Sequence, residues 1–264
     1  MVNRESPTSR RPADRWKWRL RLGSLAAFAL GWELLAHTLD SLLLPTFTET
    51  LVALGRLLAT GRLWEALWIS NQAMAIGFAL AAVVGVFLGL LMGRWRAVEK
   101  FVDPYLNILL VTPMSALIPV IIMAMGLGLA SRVAVVFSFA VVIITVNTRA
   151  GARMVDPSWI EMAQAFGATE RQMWLKVLLR GALAGILTGL RLGMMRAISG
   201  MVTVELLLIA VGVGRLILDL QGNFEAAGLY ATIIVVVAES VILLLVFKRL
   251  ERRAAPWDGE GVTV

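Results

Sequence analysis

Cysteine is absent from this 264-residue chain, and histidine occurs once, at His37. The first absence excludes disulfide frameworks, thiolate metal sites and cysteine nucleophiles. The second excludes multi-histidine centres such as those of zinc proteases. Charge is also scarce: 16% of residues are Asp, Glu, Lys or Arg, against about a quarter in an ordinary soluble domain. None of the lysines (Lys17, Lys100, Lys176, Lys248) follows a glycine, so no G-x4-G-K-[ST] loop exists to cradle a nucleotide phosphate. There is no serine with a nearby histidine, no H-E-x-x-H and no close aspartate pair, which leaves an intramembrane enzyme without catalytic groups.

Apolar length is plentiful. Hydrophobic residues make up 59% of the chain, mean hydropathy is +0.79, and uncharged runs such as Pro104 to Ser131 exceed the roughly 20 residues that cross a bilayer core. The sequence therefore predicts an all-α, polytopic membrane protein. Six spans are expected, at Leu22 to Leu39, Trp68 to Gly93, Leu106 to Leu127, Arg132 to Thr148, Gly185 to Val211 and Leu229 to Phe247. Arg132 and Arg149 bound the short fourth span and are expected to reach the interface along the helix.

The net charge of +7 could indicate nucleic-acid binding, but the cations flank apolar segments, so no nucleic-acid partner is expected. Seven precede the first span (Arg4, Arg10, Arg11, Arg15, Lys17, Arg19, Arg21) and four follow the last (Lys248, Arg249, Arg252, Arg253). With the N-terminus inside, nineteen cations fall on cytoplasmic segments and only Arg56, Arg62, Arg132 and Arg215 outside, which predicts both termini in the cytoplasm. The leader has no small-residue cleavage site and the run is interrupted by Glu33 and His37, so residues 1–21 read as a retained basic segment. Residues 22–250 form the membrane domain and residues 251–264 a cytoplasmic tail.

About 35 residues, 149–184, separate the fourth and fifth spans on the cytoplasmic side, long for a helix connection. Asp156-Pro157 supplies an N-cap and a first-turn proline, so a short amphipathic helix should follow. Met162, Ala165, Phe166 and Met173 can give it an apolar side, and Gly167 permits a sharp turn. The loop is built to dock something.

Glu161-Met162-Ala163, three residues, Gly167, nine residues, Val177, one more and Leu179 resemble the EAA loop, E-A-A-x3-G-x9-I-x-L-P, of ABC importer permeases. Met162 departs from the first alanine and Arg180 from the final proline, which leaves the loop's exit toward the fifth span open. The resemblance extends from about Leu43 to Leu250 and is nearest the nitrate, sulfonate and taurine branch. Leu44-Pro45-Thr46 and Val111-Thr112-Pro113-Met114-Ser115-Ala116-Leu117-Ile118-Pro119 carry that branch's features.

The resemblance implies the transmembrane domain of a type I ABC importer in a bacterial cytoplasmic (inner) membrane, working as a homodimer with two cytoplasmic ATPase subunits and an external solute-binding protein. It implies no cofactor in this chain, with ATP and Mg held by the ATPases, whose closure would move the Glu161 loops together. A small anion such as a sulfonate, taurine or nitrate is the implied cargo. Bicarbonate, organic carboxylates and heterocyclic vitamin precursors stay open.

Small residues recur every fourth position at Gly77, Ala81, Gly85, Gly89 and Gly93, and again at Gly181, Gly185, Gly189, Gly193 and Ala197, followed in register by Met201 and Glu205. Such stripes favour close helix packing over pore lining. Pro113 and Pro119 read as kinks that neighbouring helices tolerate. Glu205, inside a span, must face protein or water, with Glu239 and Arg191 as candidate partners. Arg196 is a candidate attractor for an anionic substrate, and Glu205, Arg196, Arg191, Met201 and Pro113 make up the candidate translocation path, with a buried structural ion pair as the other reading of Glu205. The competing reading is an ion-gradient carrier or channel that uses Glu205 and Glu239, although no repeat of two related halves accompanies them.

Overall fold

The computed structural model describes residues 13–39 and 41–254; the basic leader up to residue 12 and the tail beyond residue 254 lie outside the described residues. Every regular element among them is helical: α1 Ala13–Leu39, α2 Phe47–Ala59, α3 Arg62–Arg94, α4 Arg96–Val111, α5 Met114–Met125, α6 Leu129–Arg153, α7 Pro157–Ala165, α8 Glu170–Gly181, α9 Leu183–Leu207, α10 Gly212–Gly222 and α11 Ala226–Ala254. A π turn, Met173–Leu178, lies within α8.

Three helices are each long and apolar enough to cross a bilayer: α3, α6 and Ala226–Glu251 of α11. Two bent pairs raise the number to five among the described residues if each pair is one crossing. The helix α1, expected as the first of six spans, is not in that set. The expected third span, Leu106 to Leu127, is not one helix. Thr112, held extended before Pro113, ends α4, and α5 leaves at 105°. The legs, 16 and 12 residues long, reach only about 24 and 18 Å, each short of a 30 Å hydrocarbon core. Pro113 is therefore a break rather than a tolerated kink, whereas Pro119 sits inside α5. The expected fifth span, Gly185 to Val211, ends earlier, at Leu207, and meets α8 at 64°.

The core is a slab of three helices in which α6 lies between α3 and α9. Met74 and Ala81 of α3, Val136, Ala140 and Ile144 of α6, and Met194, Ala197, Ile198 and Met201 of α9 form its buried centre. Both small-residue stripes face α6. A Cβ on Gly77 would lie 2.8 Å from Val136, one on Gly85 2.9 Å from Ile144, and one on Gly93 2.3 Å from Ala152. These contacts keep a constant offset along both helices, so α3 and α6 run in the same direction. On the other side, a Cβ on Gly185 would lie 2.5 Å from Gly151 Cα, and one on Gly193 2.5 Å from Ile144, so α9 runs opposite to α6. The stripes are packing surfaces, as their spacing suggested.

One end of the slab is closed by α2 and α10. Thr46 and Glu49 cap each other's backbone N–H to start α2, and Ala53 and Leu57 pack with Leu63, Val213, Leu216, Leu220 and Ala231. The helix α1 is tied to this end. Trp32 Nε1 donates to the Pro45 carbonyl at 2.9 Å, its ring meets Phe47 and Tyr230, and the Thr48 hydroxyl donates to Glu33 at 2.8 Å.

Replacing Gly185 with leucine puts a side chain where α6 backbone already lies, and it should abolish monodisperse protein. Gly31, with nothing within 4 Å of its would-be Cβ, should accept alanine with a gain of up to about 1 kcal/mol. Size-exclusion profiles and thermal melting of the two variants check both outcomes.

Candidate functional site

Three places gather the chemistry-bearing residues: the end of the bundle that carries residues 154–182, a cavity at the α4–α5 break, and a buried charge at the opposite end.

At the first, the Asp156 side chain accepts from the Ser158 backbone N–H at 2.8 Å and starts α7, with Pro157 in the first turn. Hydrogen bonds from the backbone and hydroxyl of Ser158 hold the Asp156 carboxyl below the usual carboxylate range. Gly167, at φ +73°, turns the chain into α8, whose Thr169–Gln172 capping box fixes its start. No residue of α7 is buried. Trp159, Met162 and Phe166 are exposed, Phe166 by 86%, together with Met154, Glu161, Ala165 and Gly167, while Ala163 is half-buried.

Met173 instead turns inward and is buried. Val177 and Leu179 pack on Leu90, Ala152, Val155, Leu178, Ala182 and Ile186. The segment is thereby fastened to the slab. Trp95 meets Trp174 edge-on at 5.5 Å, Arg94 pairs with Glu170 at 3.7 Å, and Arg149 and Arg153 at the end of α6 pair with Asp103 and Glu99 of α4. The segment thus presents an open apolar helix face on a well-fastened base.

The cavity at the break measures about 360 Å³ and is lined by Thr112, Pro113, Met114 and Ser115 on one side and by Phe139, Arg196 and Thr203 on the other. Arg196 is exposed and makes no ion pair or hydrogen bond among the described residues. Ser199 and Thr203 lie on the same face of α9 as Arg196, beside the buried Gly193 and Ala197. The structure thus brings Pro113 and Arg196 together. Met201 is elsewhere, buried in the core, and Arg191 donates to Glu251 at 3.1 Å. Thr203 carries no motif, but its position seven residues after Arg196 places it on the arginine's face.

The third place corrects two expectations. Glu205, expected near the middle of a span, is the third residue from the end of α9, and its partners are neither Glu239 nor Arg191. Glu205 Oε1 accepts from Arg132 Nη1 at 3.3 Å, and Oε2 accepts from the Ser70 hydroxyl at 2.7 Å and from the Gly214 N–H at 3.1 Å. Ser70 in turn accepts from the Val213 N–H at 2.9 Å. These N–H groups are the free donors at the start of α10, where Val211 has no side-chain cap to offer, so helices α3 and α9 cap α10.

Arg132, expected at the interface, is 9% exposed because its positive charge is needed inside; it also donates to the Ile69 carbonyl at 3.2 Å. Gly212 has φ +56°, and a Cβ there would lie 2.2 Å from Ser70 Oγ. The Gly212-Val213-Gly214 triplet after Glu205 was the signal available for this cage. Glu239 accepts from Asn71 at 2.7 Å, one residue along α3 from Ser70.

Residues 81–256 match a protein family described as the binding-protein-dependent transport system inner membrane component. The chain is 28% identical over 258 residues to a putative aliphatic sulfonates transport permease protein of Bacillus subtilis (strain 168), covering 97% of this chain and 94% of that one. It is 29% identical over 262 residues to a taurine transport system permease protein of Escherichia coli (strain K12), covering 93% and 94%. A formylaminopyrimidine transport permease protein of Halalkalibacterium halodurans is 31% identical over 184 residues, 70% of this chain and 74% of that one. Among solved structures, an inward-facing MetNI methionine ABC transporter superposes with a TM-score of 0.60 at 21% identity, covering 75% of this chain and 96% of that one.

Truncating Glu205 to alanine would leave Arg132 buried without a counter-charge and the Gly214 N–H without its acceptor, a loss of about 3 to 5 kcal/mol. Pairing Glu205→Gln with Arg132→Met keeps an acceptor for α10 and removes the lone charge, so it should recover most of that loss. Thermal unfolding of the single and double variants in one detergent measures the difference.

Proposed function

This chain belongs to the family of binding-protein-dependent transport system inner membrane components, and from that premise we propose how its residues serve an ATP-driven importer. The chain is the permease subunit. The α7 end faces the cytoplasm, and the exposed Glu161, Met162, Ala165, Phe166 and Gly167 seat in a groove of a separate ATPase that holds ATP and Mg. Two ATPases serve two permease copies. The α2–α10 end faces outward to receive a solute-binding protein, and α1 supplies the sixth span, with both termini in the cytoplasm of a bacterial inner membrane. The observation that carries this reading is α7 itself, a helix with no buried residue whose apolar face stands on a base tied to α3, α4 and α6.

The solute path runs beside the α4–α5 break. A lone arginine on a membrane helix attracts an anion, because its charge has no competing partner there. Arg196, facing Pro113 across the cavity, is that group, and a small anion such as a sulfonate, taurine or nitrate is the cargo class; two relatives are sulfonate and taurine permeases by name. Glu205, Arg191 and Met201 support the path's walls rather than line this cavity. A gradient-driven carrier built on Glu205 is the weaker reading, since Arg132 already neutralises that carboxylate.

Glu161→Lys and Phe166→Asp should each abolish co-purification of the ATPase encoded with this permease while leaving the permease monodisperse. Arg196→Gln should retain the ATPase but raise the transport KM for the anion about tenfold in proteoliposomes. Unchanged ATPase capture by both loop variants would refute the docking role, and an unchanged KM and maximal rate would refute the anion role.

A further inference from the structure

Phe224 occupies a position that a folded chain ordinarily gives to glycine. The Phe224 N–H bonds the Gln221 carbonyl at 3.1 Å and the Glu225 N–H bonds the Leu220 carbonyl at 2.9 Å, the paired bonds of a Schellman turn ending α10. The left-handed residue of that turn is Phe224 itself, at φ +57°, a region disfavoured for a bulky L-residue. It is also the only non-glycine at positive φ among the described residues. Its ring gains nothing from the fold in return, being 80% exposed within the exposed polar run from Gln221 to Glu225. An apolar ring held in an unfavourable conformation and packed on little of its own chain marks a contact made with something else.

The surroundings describe that contact. Phe224 stands between two cavities, one of about 680 Å³ reaching to His37, Glu49, Arg56 and Arg62, the other of about 470 Å³ lined by Leu43, Leu218, Leu220 and Leu229. Arg56 and Arg62 make no ion pair among the described residues. The turn rides on a rigid base, since Leu216 and Leu220 of α10 are buried against Ala53, Leu57, Leu63 and Ala231. A protruding aromatic beside apolar recesses, with unpaired cations at the rim, has the anatomy of a protein-binding hot spot. The polar residues around the ring favour a protein partner in water over the bilayer.

We propose that Phe224 and the α2–α10 surface around it form the docking site for the external solute-binding protein, which presents an apolar pocket for the ring and carboxylates opposite Arg56 and Arg62. This rests on the importer reading above, in which this end of the bundle faces outward.

The test uses the permease assembled with its ATPase in nanodiscs and the solute-binding protein encoded with it. Phe224→Gly removes the ring and suits the turn better, so its melting temperature should not fall, which separates lost contact from lost fold. Its affinity for the binding protein should drop at least tenfold. Charge reversal by Arg56→Glu with Arg62→Glu should weaken association comparably and flatten its dependence on salt. Unchanged affinity in Phe224→Gly, with the unaltered complex binding normally, overturns the docking site and leaves the importer reading intact. Failure of the unaltered complex to bind any solute-binding protein overturns both. If Phe224→Gly instead separates the two permease copies on size exclusion, the surface belongs to a second copy of this chain and the proposal is wrong.

Discussion

A carboxylate removed completely from water is the constraint around which one end of this molecule is arranged. Glu205 is fully buried, and an unpaired charge in that position would be intolerable. Its oxygens are satisfied by Arg132 of α6, Ser70 of α3 and the Gly214 N–H of α10, so four elements, counting its own helix, must meet at one point. The return of the chain through residues 208–211 follows from this requirement. So do Gly212 and Gly214, since a side chain at either would collide with Ser70 or Glu205. The same contacts satisfy the start of α10, where Gly212, Val213 and Gly214 are buried.

Arg132 and Ser70 can reach Glu205 only because the three long helices lie unusually close. Glycine and alanine bring α3 and α9 against the two faces of α6, with would-be Cβ atoms 2.3 to 2.9 Å from its atoms at Gly77, Gly85, Gly89, Gly93, Gly185 and Gly193. In a lipid solvent no hydrophobic force holds helices together, so close van der Waals contact along the stripes and the few polar bonds at their ends must do so. The stripe and the cage are two halves of one solution: the first sets the spacing and the second fixes the register.

Much of this was legible from one sequence. The stripes announced packing because their period matches a helix face, and Asp156-Pro157 and Gly167 announced a helix and a turn because caps and positive φ have strong residue preferences. What escaped was information carried by pairs distant in the chain. Arg132 looked like an interfacial residue because it ends an apolar run, and only Glu205, 73 positions later, gives it a reason to be buried. The break at Thr112 was hidden for another reason. Prolines are common in membrane helices, and whether Pro113 bends or breaks its helix depends on the neighbours that take up the freed backbone groups. Thr203 was invisible as a lining residue until the structure showed which face of α9 the cavity opens on.

The placement of the breaks suggests how an event at α7 would be felt across the membrane. Packed interiors move as units, and deformation collects at the few points where the ladder of backbone bonds is interrupted. The α3–α6–α9 slab has no break between Gly77 and Gly93 or between Leu129 and Arg153. The ties from Trp174, Glu170, Asp103 and Glu99 join the α7–α8 segment and α4 to that slab. The interruptions lie at Thr112–Pro113, at Ala182 and at Leu208–Val211. Two of these bound the helix that carries Arg196, and the third borders the cavity the arginine faces. A force on α7 carried through these ties would be taken up at Ala182 and Leu208–Val211, the two ends of the helix that carries Arg196, and at Thr112–Pro113, which lines the cavity the arginine faces.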